Sequence, residues 1–257
     1  MSPSRRIDLN ADVGEATDPA GIDTERALLG LVTTAHVACG GHAGTDATMA
    51  TTVAAALDSG VRVGAHPSYP DPDGFGRRPM DIDREELRDA LTHQLRALAA
   101  VCASAGTAVA SVKAHGALYE EVATGGAIYL VLRDVVTAEC PPETTLVLPS
   151  GCHAMAMVGR DGVPATAEGF CDRAYRPDGG LVDRATPGAV LRDEAEAAGQ
   201  ALSLARGAVC ASDGSILTLW VDTLCIHGDS PGAVAIATAA RRALTDAGIE
   251  VLAPAPA

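Results

Sequence analysis

The chain has 257 residues, 47% of them apolar, enough to bury one large core and a length that suits one α/β barrel at least as well as two small domains. Its 19 Lys and Arg against 33 Asp and Glu leave a formal net charge of −14, a field that repels phosphate backbones and anionic lipid and so argues against nucleic acid and membrane surfaces as partners. An anionic small molecule would then need positive groups gathered locally, which gives weight to any Lys or Arg at a strand end beside histidines.

A short β-prone apolar run, a cluster of polar or Gly residues, and a longer stretch of helical spacing recur along the chain. That order predicts parallel strands joined by helical crossovers. The first strand is expected near residues 7–10, with Asn10, Asp12 and Glu15 at and after its end. The second, near 35–39, contains His36 and leads to His42, after which Thr45 is a candidate helix N-cap. The third, near 61–65, follows a helix stop at Gly60 and delivers His66. The stretch Pro67 to Pro79, carrying Arg77 and Arg78, is a long loop rich in Pro, Asp and Gly, as a lid or binding loop is. A helix begins after Asp83, with Glu86 at capping-box spacing and Leu87, Leu91, Leu95 and Leu98 on one stripe, and stops at Gly106. Strand four, near 109–113, ends in Lys113-Ala114-His115-Gly116, and strand five is expected near 145–148. Strand six, near 165–169, is followed by Asp172-Arg173-Ala174-Tyr175. Strand seven, near 223–227, ends in His227-Gly228-Asp229; Ser230 is then a candidate N-cap and Pro231 fits the first turn of a last helix that stops at Gly248. Free N–H groups at that helix start would suit a carboxylate or phosphate, or serve a plain cap.

Any one of these polar residues is more often a cap or turn former than a catalyst. Such clusters at the C-terminal end of strand after strand are different, because parallel β/α folds build their sites there and a packed fold gains nothing from collecting buried ionisable groups. His36 and His93, inside the second strand and the long helix, read as structural or solvent-facing, and His153 stays unassigned. No repeat and no Pro/Ser-rich linker divides the chain, so residues 1–257 are expected to form one barrel domain with a disordered tail at 253–257. Seven cysteines without a Cys-x-x-Cys pair argue against a disulfide framework and a zinc ribbon. With no leader-like apolar run and no stretch of membrane-spanning length, the cytoplasm is the expected location.

Seven segments resemble one known family: Asp8-Leu9-Asn10-Ala11-Asp12-Val13-Gly14-Glu15, Ala38-Cys39-Gly40-Gly41-His42-Ala43-Gly44, Gly64-Ala65-His66-Pro67, Gly74-Phe75-Gly76-Arg77-Arg78, Lys113-Ala114-His115-Gly116-Ala117-Leu118-Tyr119, Phe170-Cys171-Asp172-Arg173-Ala174-Tyr175 and His227-Gly228-Asp229-Ser230-Pro231-Gly232. In order and over essentially the whole chain, they are similar to the LamB/YcsF family, also called the A-subunit family of 5-oxoprolinase. The resemblance implies a seven-stranded, TIM-like (β/α) barrel of the glycoside hydrolase and deacetylase type. It also implies ATP-driven hydrolysis of the lactam 5-oxoproline to glutamate, carried out with subunits B and C. The chain has no G-x-x-x-x-G-K-[ST] sequence and no Gly-rich dinucleotide fingerprint, so ATP is expected mainly on those partners. Ala11, Gly41 and Ala114 depart from a common Cys, aromatic and Pro, and the loop Ala16 to Ala20 looks trimmed beside Glu15.

Opening a lactam needs a polarised carbonyl, an activated water and a proton for the leaving nitrogen. In that reading Lys113 and Arg173 hold the substrate carboxylate or the developing oxyanion and Asp12 is the general base. His66 and His115 polarise or shuttle protons, with Asp172 as a further catalytic candidate. Asn10, Glu15, His42, Arg77, Arg78, Tyr175, His227 and Asp229 are candidates for binding substrate. One alternative is a metal-dependent deacylase, with His42, His66, His115, His227 and Asp12 as donors, although Asp12 is followed by Val13 rather than a second Asp. A non-catalytic protein that captures a lactam for its partners is the other. Whether a metal is bound, and whether the chain self-associates, the residues leave open.

Overall fold

The computed structural model describes residues 5–230 and 232–253; Pro231, expected in the first turn of the last helix, and the tail beyond Ala253, expected to be disordered, lie outside the described residues. In chain order the elements are β1 (Arg6–Val13), α1 (Pro19–Leu29), β2 (Thr34–Ala38), α2 (Asp46–Asp58), β3 (Arg62–His66), α3 (Arg84–Ser104), β4 (Ser111–Val112), α4 (Gly116–Ala123), α5 (Ala127–Glu139), β5 (Thr145–Pro149), α6 (His153–Asp161), β6 (Ala165–Phe170), α7 (Glu194–Ala205), β7 (Ala208–Cys210), β8 (Ile216–Thr218), β9 (Thr223–Ile226), α8 (Ala233–Asp246) and β10 (Glu250–Val251). Seven parallel strands close on themselves in the order β1-β2-β3-β4-β5-β6-β9, because β9 pairs with both β6 and β1. All seven expected strands are present. Beyond these seven stand β10, which pairs with Arg6 and Ile7 at the start of β1, and the β7–β8 hairpin between α7 and β9.

Strand β1 shows how the sequence builds this barrel. Ile7, Leu9, Ala11 and Val13 alternate with Asp8, Asn10 and Asp12, and all seven side chains are buried. Side chains alternate across a strand, so the apolar set packs outward into the core under the helices and the polar set lines the barrel. Asp8 accepts hydrogen bonds from Thr33, Thr34 and Thr223. One layer up, Asn10 donates to Glu168 and Thr223 and accepts from Lys113. Its Oδ1 also faces His36 Nδ1 at 3.2 Å, and His36 Nε2 in turn meets the Ser111 hydroxyl. Gly64 makes that layer possible: a Cβ there would come within 2.5 Å of Ser111 Oγ and 2.6 Å of His36 Cδ2.

The helices follow their start and stop signals with two exceptions. Thr45 caps α2 in a capping box completed by Thr48, and Gly60, Gly106 and Gly248 stand at positive φ just past their helices. Leu87, Leu91, Leu95 and Leu98 of α3 are fully buried, as a stripe at i, i+4, i+8 and i+11 demands. The α3 cap, however, is the Asp83 carboxylate accepting from Glu85 N, not a box with Glu86. Ser230 does not cap α8. Gly232 holds that position at φ 79°, while the Ser230 hydroxyl donates to the buried Asp172 carboxylate.

Candidate active site

The C-terminal ends of β1, β3 and β4 carry Asp12, His66 and Lys113 to one mouth of the barrel, with Glu15 and His42 arriving from the loops after β1 and β2 and His115 from the start of α4. Lys113 Nζ lies 2.5 Å from Asp12 Oδ1 and 3.2 Å from Glu168 Oε1, and also reaches Asn10 and the Cys225 sulfur. His66 Nε2 is 3.4 Å from Asp12 Oδ2 and 3.0 Å from His115 Nδ1. His42 Nε2 pairs with Glu15 Oε1 at 2.9 Å, and its ring stacks on His115 with centroids 3.7 Å apart. None of these charged side chains is more than 9% exposed.

Burial and mutual charge set the protonation states. Burial disfavours the Asp12 carboxylate, but His66 and Lys113 outweigh it and hold its pKa well below the usual value. Burial would likewise discharge Lys113, yet Asp12, Cys225 and Glu168 keep it a cation. For Glu15, burial together with the Asp12 charge outweighs the opposing influence of His66 and raises it to about 7. Burial, reinforced by His66, depresses His42 to about 3 and His115 further still. The mouth therefore combines one fixed ion pair, two imidazoles held neutral, His42 and His115, and one carboxyl poised near neutrality.

Two local devices hold these groups. The Glu25 carboxylate of α1 accepts from the backbone N–H groups of Gly14, Glu15 and Ala16, which fixes the short loop carrying Glu15. On the other side Phe75 takes a left-handed backbone at φ 54°, uncommon for a bulky residue and held here by the Asp71–Gly76 turn. Its ring packs edge-on to His42 and His115, and its carbonyl accepts from His115 Nε2.

The other expected residues lie further from this centre. Asp172 is buried on His227 and Ser230. Asp229 is bound by Arg77 and by Arg184, an ionic tie that joins the loops following β3, β6 and β9 across the rim. Arg78 braces its own loop through Asp71. The Tyr175 hydroxyl accepts from Phe170 N. Arg173 donates Nε and Nη2 to the Ala189 and Val182 carbonyls, and no described contact joins it to the histidine cluster. Sequence reasoning passed over Glu168, Tyr119, Cys225 and Glu25. Glu168 left a signal, a lone acid inside the buried β6 run Ala165–Phe170, whereas Glu25 left none on its helix.

Two groups of side chains bring metal-type donors within 4.8 Å of one another: Glu15, His42, His66 and His115, and separately Asp12, Cys225 and His227. The second is already served by a cation, since Lys113 contacts both Asp12 and Cys225. Among described buried side chains, Asp12 Oδ1 and His42 Nδ1 lack a hydrogen-bond partner; for Asp12 Oδ1 the close Lys113 Nζ compensates as an ion pair.

The LamB/YcsF family model matches residues 7–257. The A subunit of 5-oxoprolinase from Methylococcus capsulatus is 44% identical over 251 residues, 97% of this chain and 96% of that one. The lactam utilization protein of Thermus thermophilus superposes with a TM-score of 0.89 at 37% identity, covering 97% of this chain and all of its own. A family 4 carbohydrate esterase from Streptomyces lividans matches at TM-score 0.53 and 13% identity over 98% of this chain and 94% of its own, a likeness of fold alone.

Proposed function

This chain belongs to the LamB/YcsF family, and on that premise we propose that it is the A subunit of an ATP-dependent 5-oxoprolinase, opening the 5-oxoproline lactam to glutamate together with subunits B and C. The observation that carries the chemistry is the buried Lys113–Asp12 pair, 2.5 Å apart, beside His66 at the barrel mouth. An amide carbonyl is a poor electrophile, so water attack needs a base, charge stabilisation at the oxygen and a proton for the departing nitrogen. Asp12, ionised and oriented by Lys113, takes the proton of the attacking water. Lys113 faces the oxygen on which negative charge develops. As the carbon–nitrogen bond breaks, Asp12 returns the proton it took from the water to the nitrogen, which leaves as the amine of glutamate. Arg173 has Nη1 without a hydrogen bond among the described residues and serves the substrate carboxylate in this reading.

ATP fits this rim poorly. Lys113, Arg77 and Arg184 are each already paired with carboxylates, and a triphosphate would meet Asp12, Glu15 and Asp229. We assign the nucleotide to subunits B and C. A cytoplasmic location belongs to the same proposal, supported by seven cysteines of which none is in a disulfide. No helix of the described residues is long and apolar enough to cross a membrane.

The test is reconstitution with subunits B and C and measurement of ATP-dependent glutamate formation from 5-oxoproline. Asp12→Asn keeps the shape and removes the base, and should lower the rate by about 10²–10⁴-fold. An unchanged rate defeats the assignment.

A further inference from the structure

His66 and His115 face one another through atoms that cannot hydrogen-bond as a neutral pair. His66 Nδ1 lies 2.8 Å from the Lys113 carbonyl oxygen, and His115 Nε2 lies 2.9 Å from that of Phe75. A carbonyl only accepts, so both of these nitrogens carry hydrogen. The remaining nitrogens, His66 Nε2 and His115 Nδ1, then point lone pairs at each other across 3.0 Å. Glu15 Oε1 adds further electron pairs, 3.5 Å from His115 Nδ1 and 3.8 Å from His66 Nε2. Asp12 Oδ2 lies 3.4 Å from His66 Nε2 as well, and acceptors converging in this way require something positive among them. An additional proton would place an imidazolium on rings only 2% and 7% exposed, whereas a bound cation leaves both rings neutral.

We propose that His66 Nε2, His115 Nδ1 and Glu15 form a binding site for a divalent transition-metal ion, zinc by preference, with His42 as the residue that positions Glu15. Tetrahedral zinc with bonds of about 2.1 Å separates its ligands by about 3.4 Å, and the separations of 3.0, 3.5 and 3.8 Å bracket that value. Metal-bound histidines donate their other N–H to a carbonyl or carboxylate, which fixes tautomer and ring orientation; both histidines do so here. Two imidazoles and one carboxylate suit zinc and its neighbours better than magnesium or calcium, which prefer all-oxygen shells. His42 is not a third nitrogen ligand. Its ring lies within 8° of parallel to His115, and parallel rings cannot both aim in-plane lone pairs at one ion. Its Nε2–H instead donates to Glu15, while Glu25 fixes the Glu15 backbone. Asp12 stays out of the set because Lys113 holds it. The fourth position is left open, as in zinc sites that act on water or carbonyls. The site stands on this geometry and goes beyond the proposed lactam chemistry without depending on it.

The test uses the full chain alone, stripped with chelator and titrated with ZnCl2 in a calorimeter and CoCl2 in a spectrophotometer. The expected result is one zinc per chain and the intense visible bands of low-coordinate cobalt in the wild-type protein, a readout that needs no variant to fold. His66→Gln and His115→Gln should each weaken zinc binding by about a hundredfold or more and His42→Ala by about tenfold, with His93→Ala, on the exposed face of α3, unchanged. Absence of stoichiometric binding by the wild type overturns the proposal, as does undiminished binding in the His66→Gln/His115→Gln double variant. Zinc binding without glutamate formation in the reconstituted complex counts against the reaction and not the ion site; activity in a chain that binds no zinc does the reverse.

Discussion

The floor and the mouth of this barrel are both polar, and both bury an acid and a histidine, yet they are built to different ends. At the floor, Asp8 takes three threonine hydroxyls and His36 has a partner on each nitrogen. The space beside them is a pocket of about 10 Å³, room for one water. At the mouth, two lone pairs face each other, His42 Nδ1 has no hydrogen-bond partner among the described residues, and Glu15 is raised to about 7. Buried polarity by itself therefore does not mark a site. What marks it is polarity the fold leaves incompletely satisfied.

The largest effect should come from removing the cation that joins the two layers. Lys113→Met leaves Asp12 and Glu168 as buried carboxylates without their counter-ion, and losing one partner of a buried pair costs about 3–5 kcal/mol. Chemical denaturation should show that loss. A cost below about 1 kcal/mol would mean that both acids simply protonate, so that the ion pair does not organise the mouth. Next in size is Gly64→Ala at the floor, which overpacks Ser111 and His36 and should cost about 2 kcal/mol. Its value lies in the contrast: the melting temperature falls while zinc affinity and rate per folded molecule stay level. A large change in either would show that floor and mouth are coupled.

The strand pattern was legible in the sequence because parallel β/α units repeat their grammar, and the mouth because its residues fall directly after strand ends. Asp12, His66, Lys113 and His115 needed only that placement to be brought together. The rest needed side-chain geometry. Which nitrogen of His66 carries hydrogen depends on the Lys113 carbonyl, and Glu25 reaches the Glu15 loop from a helix whose pattern shows only an exposed acid. Ser230 looked like a cap because nothing in the local sequence reveals that Asp172, 58 positions earlier, competes for its hydroxyl. The β7–β8 hairpin and β10 are two or three residues per strand, too short for periodicity to register.

The smallest effect sharpens the comparison by asking whether Asp172 and His227, on the far wall of the mouth, behave as floor or as site. His227 Nδ1 and N both donate to the Asp172 carboxylate, a satisfied pair like those below. Burial disfavours the His227 cation, but Asp172 outweighs it, with Asp12 adding to the rise and Arg184 opposing it, and the pKa ends above its ordinary 6.5. Asp172, despite its burial, is held below its ordinary 3.8, first by the His227 charge. The bond's contribution is therefore full between about pH 4 and 6.5. It fades as pH rises through the elevated His227 value and as pH falls through the depressed Asp172 value. His227→Gln should cost about 1.5 kcal/mol at pH 6, less at pH 9, and should flatten the alkaline limb of a plot of melting temperature against pH. If the limb survives the substitution, the alkaline loss arises elsewhere and this pair is not the structural counterpart of the floor. If it flattens while 5-oxoproline turnover is kept, the wall supports the mouth without taking part in its chemistry.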